Sequence, residues 1–154
     1  DCNRLVLTAE GRTGFMAEYR SAYPLLHQDL RDHVENRYGY TAASICEALD
    51  FSAACRSEFD RIAAGYDAVL VPSATGEAPL AGDKGDSVFQ RMWTLLHVPC
   101  INLPGFAGPA GLPIGVTLVA GRYGDARLLA VAETTATAID ARVGAFSGCN
   151  TLPS

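Results

Sequence analysis

Apolar and polar positions alternate in two different rhythms along the chain, and the change falls near residue 66. Before it the spacing is helical. Gly14 to Tyr23 reads as one helix, ended by Pro24, which cannot continue an α-helical ladder. Leu26, Leu30 and Val34 recur every four residues on a second helix that Gly39 breaks. Thr41 is placed to cap a third, whose stripe runs Ala42, Ile45, Cys46, Leu49, Ala53 and then rotates through Cys55, Phe59 and Ile62 to a stop at Gly65.

After residue 66 the runs are short. Ala68 to Val71 is continuously apolar and predicts a strand buried on both faces. Residues 73–85 are rich in Gly, Pro and Asp and predict a loop. Asp86 or Ser87 can cap a helix that carries Phe89, Met92, Trp93 and Leu96 on one face, stopped by Pro99. Cys100 to Leu103 is a second strand and 104–112 a loop. Ile114 to Val119 is a third strand, with Ile114, Val116 and Leu118 on one side. Asp125 is expected to cap a closing helix with Leu128, Leu129, Ala132, Thr135, Ala136 and Ile139 on one face. The order is α-α-α-β-α-β-β-α, an α/β class. The strand–helix–strand stretch predicts a right-handed crossover between neighbouring parallel strands. The expected organisation is one piece in three stretches: 1–65 mainly helical, 66–143 β-α-β-β-α, and a tail over 144–154.

Composition narrows the function classes. The 154 residues carry a net charge of −5, with 17 acids against 12 bases, and the bases form no stripe, which argues against a nucleic-acid partner. No apolar run approaches the roughly 18 residues needed to cross a bilayer, so no membrane partner is expected, and with no leader pattern visible a cytoplasmic location is the expectation. The start at Asp1 rather than Met suggests a trimmed product. Five cysteines with no C-x-x-C spacing read as core thiols of a reducing compartment.

The usual chemical signatures are missing. Gly105, Gly108 and Gly111 lack G-x-G spacing and join two strands, so they do not form a dinucleotide fingerprint. His27, His33 and His97 make no zinc pattern, and neither a metal nor a cofactor is expected. Ser73 lacks the G-x-S-x-G surround of a nucleophile elbow, and its expected role is a local turn bond to backbone. Lys84, the single lysine, lies between Asp83 and the Gly85-Asp86 pair, which keep it charged and unfit as a base.

What stands out is an ordered set of short motifs: Tyr66-Asp67-Ala68-Val69-Leu70-Val71-Pro72, then Ala78-Pro79, then Trp93-Thr94 with Pro99 and Pro104-Gly105, then Gly111-Leu112-Pro113-Ile114-Gly115-Val116, and a closing helix. This arrangement resembles the C-terminal part of the amidase signature family, over about Tyr66 to Ile139 and more loosely over 14–65. The resemblance implies an α/β/α fold around a mixed sheet. It also implies hydrolysis of a carboxamide through a Ser acyl-enzyme, with a second Ser and a deprotonated Lys as activators. The family's Gly-Gly-Ser-Ser-Gly stretch and catalytic Lys have no match here, so no catalytic residue carries over.

Asp67, Pro72, Trp93, Pro99, Pro104, Gly111, Pro113 and Gly115 match family positions and read as structural. Substrate-pocket candidates are Phe89, Trp93 and His97, four apart on one helical side, and Asp86, by likeness to relatives that hold a substrate ammonium near this helix start. The expectation is the C-terminal portion of an amide hydrolase, silent alone, whose partners are the missing N-terminal part and a small amide. Exposed strands would also favour a homodimer. The alternative is a free-standing, non-catalytic binding module derived from an amidase.

Overall fold

The structure, a computed structural model, describes residues 2–83 and 85–143. The expected tail and Lys84 lie outside the described residues. The chain divides into two compact units, one ending at Ser57 and the other beginning at Glu58.

The first unit is helical: α1 Cys2–Gly14, α2 Met16–Ser21, a 3-10 turn Tyr23–Leu25, α3 Gln28–Val34 and most of α4 Ala42–Ala63. The expected Gly14–Tyr23 helix is shorter and broken, because a separate helix has already run from Cys2 to Gly14. Pro24 sits in the 3-10 turn, where its fixed φ and missing N–H cost nothing. α1 packs on α3, and the pair is tied by a 3.0 Å bond between His33 Nδ1 and Thr8 Oγ1.

Thr41 caps α4 as expected: its Oγ1 accepts the Ser44 N–H at 3.1 Å, and Ser44 Oγ accepts the Thr41 N–H at 3.1 Å. The buried face of α4 is not the expected one. Ala48 and Ser52 are buried, while Leu49 is 42% exposed and Ala53 is also exposed. Ser52 can be hidden because its hydroxyl donates to the Ala48 carbonyl at 2.6 Å, a satisfied polar group that an apolar-only stripe overlooks. Nor are the cysteines uniformly core residues, since Cys46 and Cys100 are exposed.

The second unit is a three-stranded sheet with α6 (Asp125–Val143) on one face. β1 is Val69–Pro72, β2 Cys100–Ala107 and β3 Pro113–Val119, in the order β1-β3-β2. β3 is central and antiparallel to both neighbours, so β1 and β2 are not the adjacent parallel pair expected. β2 also runs past Leu103 to Ala107, with an irregular register between Pro104 and Phe106. β1 is half-buried rather than enclosed, with Leu70 56% exposed.

Alternation along β3 sorts the two faces. Ile101, Leu103, Val116 and Leu118 join Leu128, Ala132 and Ile139 of α6 in one core. Leu129, expected on that face, is 63% exposed. The N-cap of α6 is Gly124, whose carbonyl accepts the Leu128 N–H, and Asp125 is the first helical residue, where a carboxylate favours the positive end of the helix. Asn102 pairs with Thr117 in register, so both lie on the opposite face of the sheet.

Asp60, near the end of α4, accepts the backbone N–H of Arg122 at 3.0 Å and its Nε at 2.7 Å. These bonds, the backbone one first, hold the Asp60 carboxyl below its ordinary range. A depressed carboxyl stabilises the fold above its unfolded pKa, and the contribution is lost as pH falls through the folded value. Asp60→Asn is therefore expected to cost about 1 kcal/mol at pH 7 and almost nothing in acid, read from urea midpoints across pH. An equal cost at both pH values would exclude the carboxylate as the cause.

Candidate functional site

The site face of the sheet belongs to the second unit. Between the strands, residues 87–90 turn into α5, Arg91–Leu96, a shorter helix than the pattern predicts. Phe89 stays in the turn and Met92 is 48% exposed, so the expected single face reduces to Trp93 and Leu96. α5 ends before Pro99, because His97 adopts a left-handed conformation at φ 56° and its N–H bonds the Thr94 carbonyl.

Two cavities flank a cluster of neutral polar groups. The larger, about 530 Å³, is lined by residues 73–79, Gly85 to Ser87 and 113–115. The smaller, about 370 Å³, is lined by Trp93, Thr94, His97, Val98 and Cys100. Gln90, Asn102 and Thr117 line both. Ser73, just past β1, donates its hydroxyl to Asn102 Oδ1 and lies 2.8 Å from Thr117 Oγ1, while Gln90 Nε2 donates to the Ser73 carbonyl. Ser73 thus bonds side chains across the sheet rather than its own turn. Gly115 makes room for this, since a Cβ there would stand 2.5 Å from Asn102 Oδ1.

The wall of the larger cavity is pinned by Glu77. Its carboxylate accepts the N–H of Ala110 at 2.9 Å and of Leu112 at 3.0 Å, across the β2–β3 connection. It fits because Gly108 has no side chain: a Cβ there would lie 2.2 Å from Glu77 Cγ.

The four expected pocket residues divide. Asp86 lines the larger cavity but is engaged locally, accepting the Val88 N–H at 3.0 Å and facing Arg91 at 3.4 Å. Trp93 and His97 line the smaller cavity, and Phe89 lines neither. Trp93 also packs on Phe59, with ring centroids 5.5 Å apart. Gln90, Asn102 and Thr117 were not foreseen as site residues. The available signal was two polar side chains, Asn102 and Thr117, interrupting otherwise apolar strands.

Nothing in this set is an activated nucleophile. Ser73 is bonded to an amide and a hydroxyl, neither of which can take its proton at neutral pH. Desolvation pushes the Cys100 thiol above its ordinary range, away from thiolate.

No family model matches the chain. A glutamyl-tRNA(Gln) amidotransferase subunit from a Synechococcus species is 33% identical over 110 residues, covering 66% of this chain and 22% of that protein. Its counterpart from Heliobacterium modesticaldum is 27% identical over 61% of this chain and 21% of its own length. A solved amidase superposes with a TM-score of 0.74 at 22% identity, over 92% of this chain and 36% of that one. The chain is similar to amidotransferase subunits and to amidases, each over only part of its length. The chain spans about a fifth of the length of the curated relatives it matches, 21% and 22% for these two. Its α/β fold is that of the solved amidase over nearly the whole chain. Among the described residues, no helix is long and apolar enough to cross a membrane.

Proposed function

We propose that this chain is the C-terminal portion of an amide hydrolase, which converts a carboxamide to a carboxylate and an amine through a Ser acyl-enzyme. In this reading the nucleophile and its base belong to polypeptide outside the chain. The observation that carries it is coverage: the fold matches an amidase over 92% of this chain yet accounts for only 36% of that enzyme. Among the described residues no base lies beside Ser73, which supports the same division of labour.

The chain's own contribution is to hold substrate. A Ser acyl-enzyme needs a base at the hydroxyl and preorganised donors at the oxyanion. The groups here are neutral hydrogen-bonding side chains in an open cavity, suited to binding and orientation. Asp86, Trp93 and His97 belong to the two cavity walls in this scheme, and Phe89 supports α5 from its turn.

The test compares ammonia release from simple carboxamides by this chain and by a longer polypeptide that supplies the Gly/Ser-rich stretch and its Lys. The longer protein is expected to turn over and this chain to be silent. Turnover by this chain, abolished by Ser73→Ala, would sink the proposal. Silence of both would favour the non-catalytic module.

A further inference from the structure

The protons of the Ser73 cluster can be counted. Gln90 Nε2 donates to the Ser73 carbonyl, and Ser73 Oγ donates to Asn102 Oδ1. Ser73 has only one hydroxyl proton, so its 2.8 Å contact with Thr117 Oγ1 uses the proton of Thr117. Four sets of bonding capacity remain: the two N–H groups of Asn102 Nδ2, the second N–H of Gln90 Nε2, the lone pairs of Gln90 Oε1, and those of Thr117 Oγ1. Among the described residues these meet no partner. Gln90 and Asn102 are exposed, and all three residues line both cavities.

Donors on Asn102 and Gln90 together with acceptors on Gln90 and Thr117 are the complement of an amide, which itself both donates and accepts. Its carbonyl would accept from Asn102 Nδ2, and its N–H groups would donate to Gln90 Oε1 and Thr117 Oγ1. A carboxylate brings acceptors to acceptors, in a cavity already lined by the carboxylates of Glu77 and Asp86. An ammonium satisfies the two oxygens but leaves Asn102 Nδ2 without a partner.

The amide held here is not the one cleaved. None of the four side chains is a base, and neither hydroxyl is activated: Ser73 gives its proton to a neutral amide oxygen and Thr117 gives its own to Ser73. We infer that Gln90, Asn102 and Thr117 form a subsite for a second, uncleaved amide group of the substrate, so that the substrate class is a molecule carrying two amides. This rests on the amide-hydrolase reading for the existence of a cleaved amide, but the subsite itself can be tested alone.

The probe is acetamide, titrated into the full chain and followed by the side-chain NH₂ resonances of Asn102 and Gln90, with acetate and ethylammonium as matched controls. Acetamide is expected to shift both signals saturably with a Kd of about millimolar order, as suits so small a ligand, and the two ions are not. Asn102→Asp, which replaces the donor by an acceptor while keeping shape, should weaken acetamide about tenfold. Thr117→Val removes one acceptor and serves if the first variant does not fold. Equal binding of acetate or ethylammonium, unchanged affinity in the folded variant, or no acetamide response at about 100 mM would each overturn the subsite. The two readings fail separately. Amide turnover by the longer polypeptide without acetamide binding sinks only the subsite; acetamide binding without turnover sinks only the hydrolase.

Discussion

Gly105→Ala is expected to cost about 2–3 kcal/mol of stability, the upper range for an overpacked core. A Cβ at this position would stand 2.2 Å from Cγ2 of Ile139. Neither side can yield cheaply. Gly105 is buried in β2, at the irregularity between Pro104 and Phe106. Ile139 is β-branched on a helix, where essentially one χ1 rotamer is open to it, and it packs against the Leu103–Leu118–Leu128 core. The measurement is urea unfolding followed through Trp93, the only tryptophan, which reports the second unit. Ile139→Ala removes the obstructing methyl. In that background Gly105→Ala should cost less by at least about 1 kcal/mol, a coupling expected only for residues in contact. Equal cost in both backgrounds would mean that the close approach of β2 to α6 is not what demands glycine here. The strand bearing Gly105 also carries Asn102, so this contact fixes the sheet from behind while the polar cluster forms in front.

Local chemistry was legible in the sequence and long-range pairing was not. The Thr41 cap and the Gly65 stop depend on neighbours a few residues away and stand as the pattern predicts, whereas α3 starts after Leu26 and ends at Val34, ahead of the Gly39 expected to break it. The inward set Val116 and Leu118, with Leu128 and Ala132 of α6, was legible because burial on one face imposes a period. Strand order was not, since the apolar run of β1 suits any position in a sheet and only pairing with β3 decides it. α5 was over-read because Phe89 and Met92 happen to share a helical phase with Trp93 and Leu96. The candidate site was least legible. Its members at 73, 90, 102 and 117 come from two strands and two adjoining loops; the β2–β3 register pairs Asn102 with Thr117, and the β1–β3 register brings Ser73 beside them. The ordered proline and glycine motifs revealed the likeness to amidases because turns and close approaches constrain residue type strongly. They said little about binding, which here falls to unremarkable polar side chains between them.

Gly115→Ala separates packing from recognition. Gly115 lies within β3, outside the left-handed region, so its backbone accepts alanine. The added Cβ would lie 2.5 Å from Asn102 Oδ1 and 3.0 Å from the Leu103 carbonyl. Unlike Ile139, Asn102 is exposed and can swing toward solvent. The cost in stability should therefore be about 1 kcal/mol or less, while the amide leaves the Ser73 hydroxyl and its Nδ2 no longer stands beside Thr117. Acetamide affinity is expected to fall about tenfold with the urea midpoint nearly unchanged. In the longer enzyme the same substitution should raise KM for a diamide about tenfold and leave kcat almost intact, because an uncleaved group is held equally in ground and transition states. A fall in kcat at constant KM would place Asn102 at the reacting amide instead. Retained acetamide binding would show that Asn102 does not depend on the gap above Gly115 to present its donor.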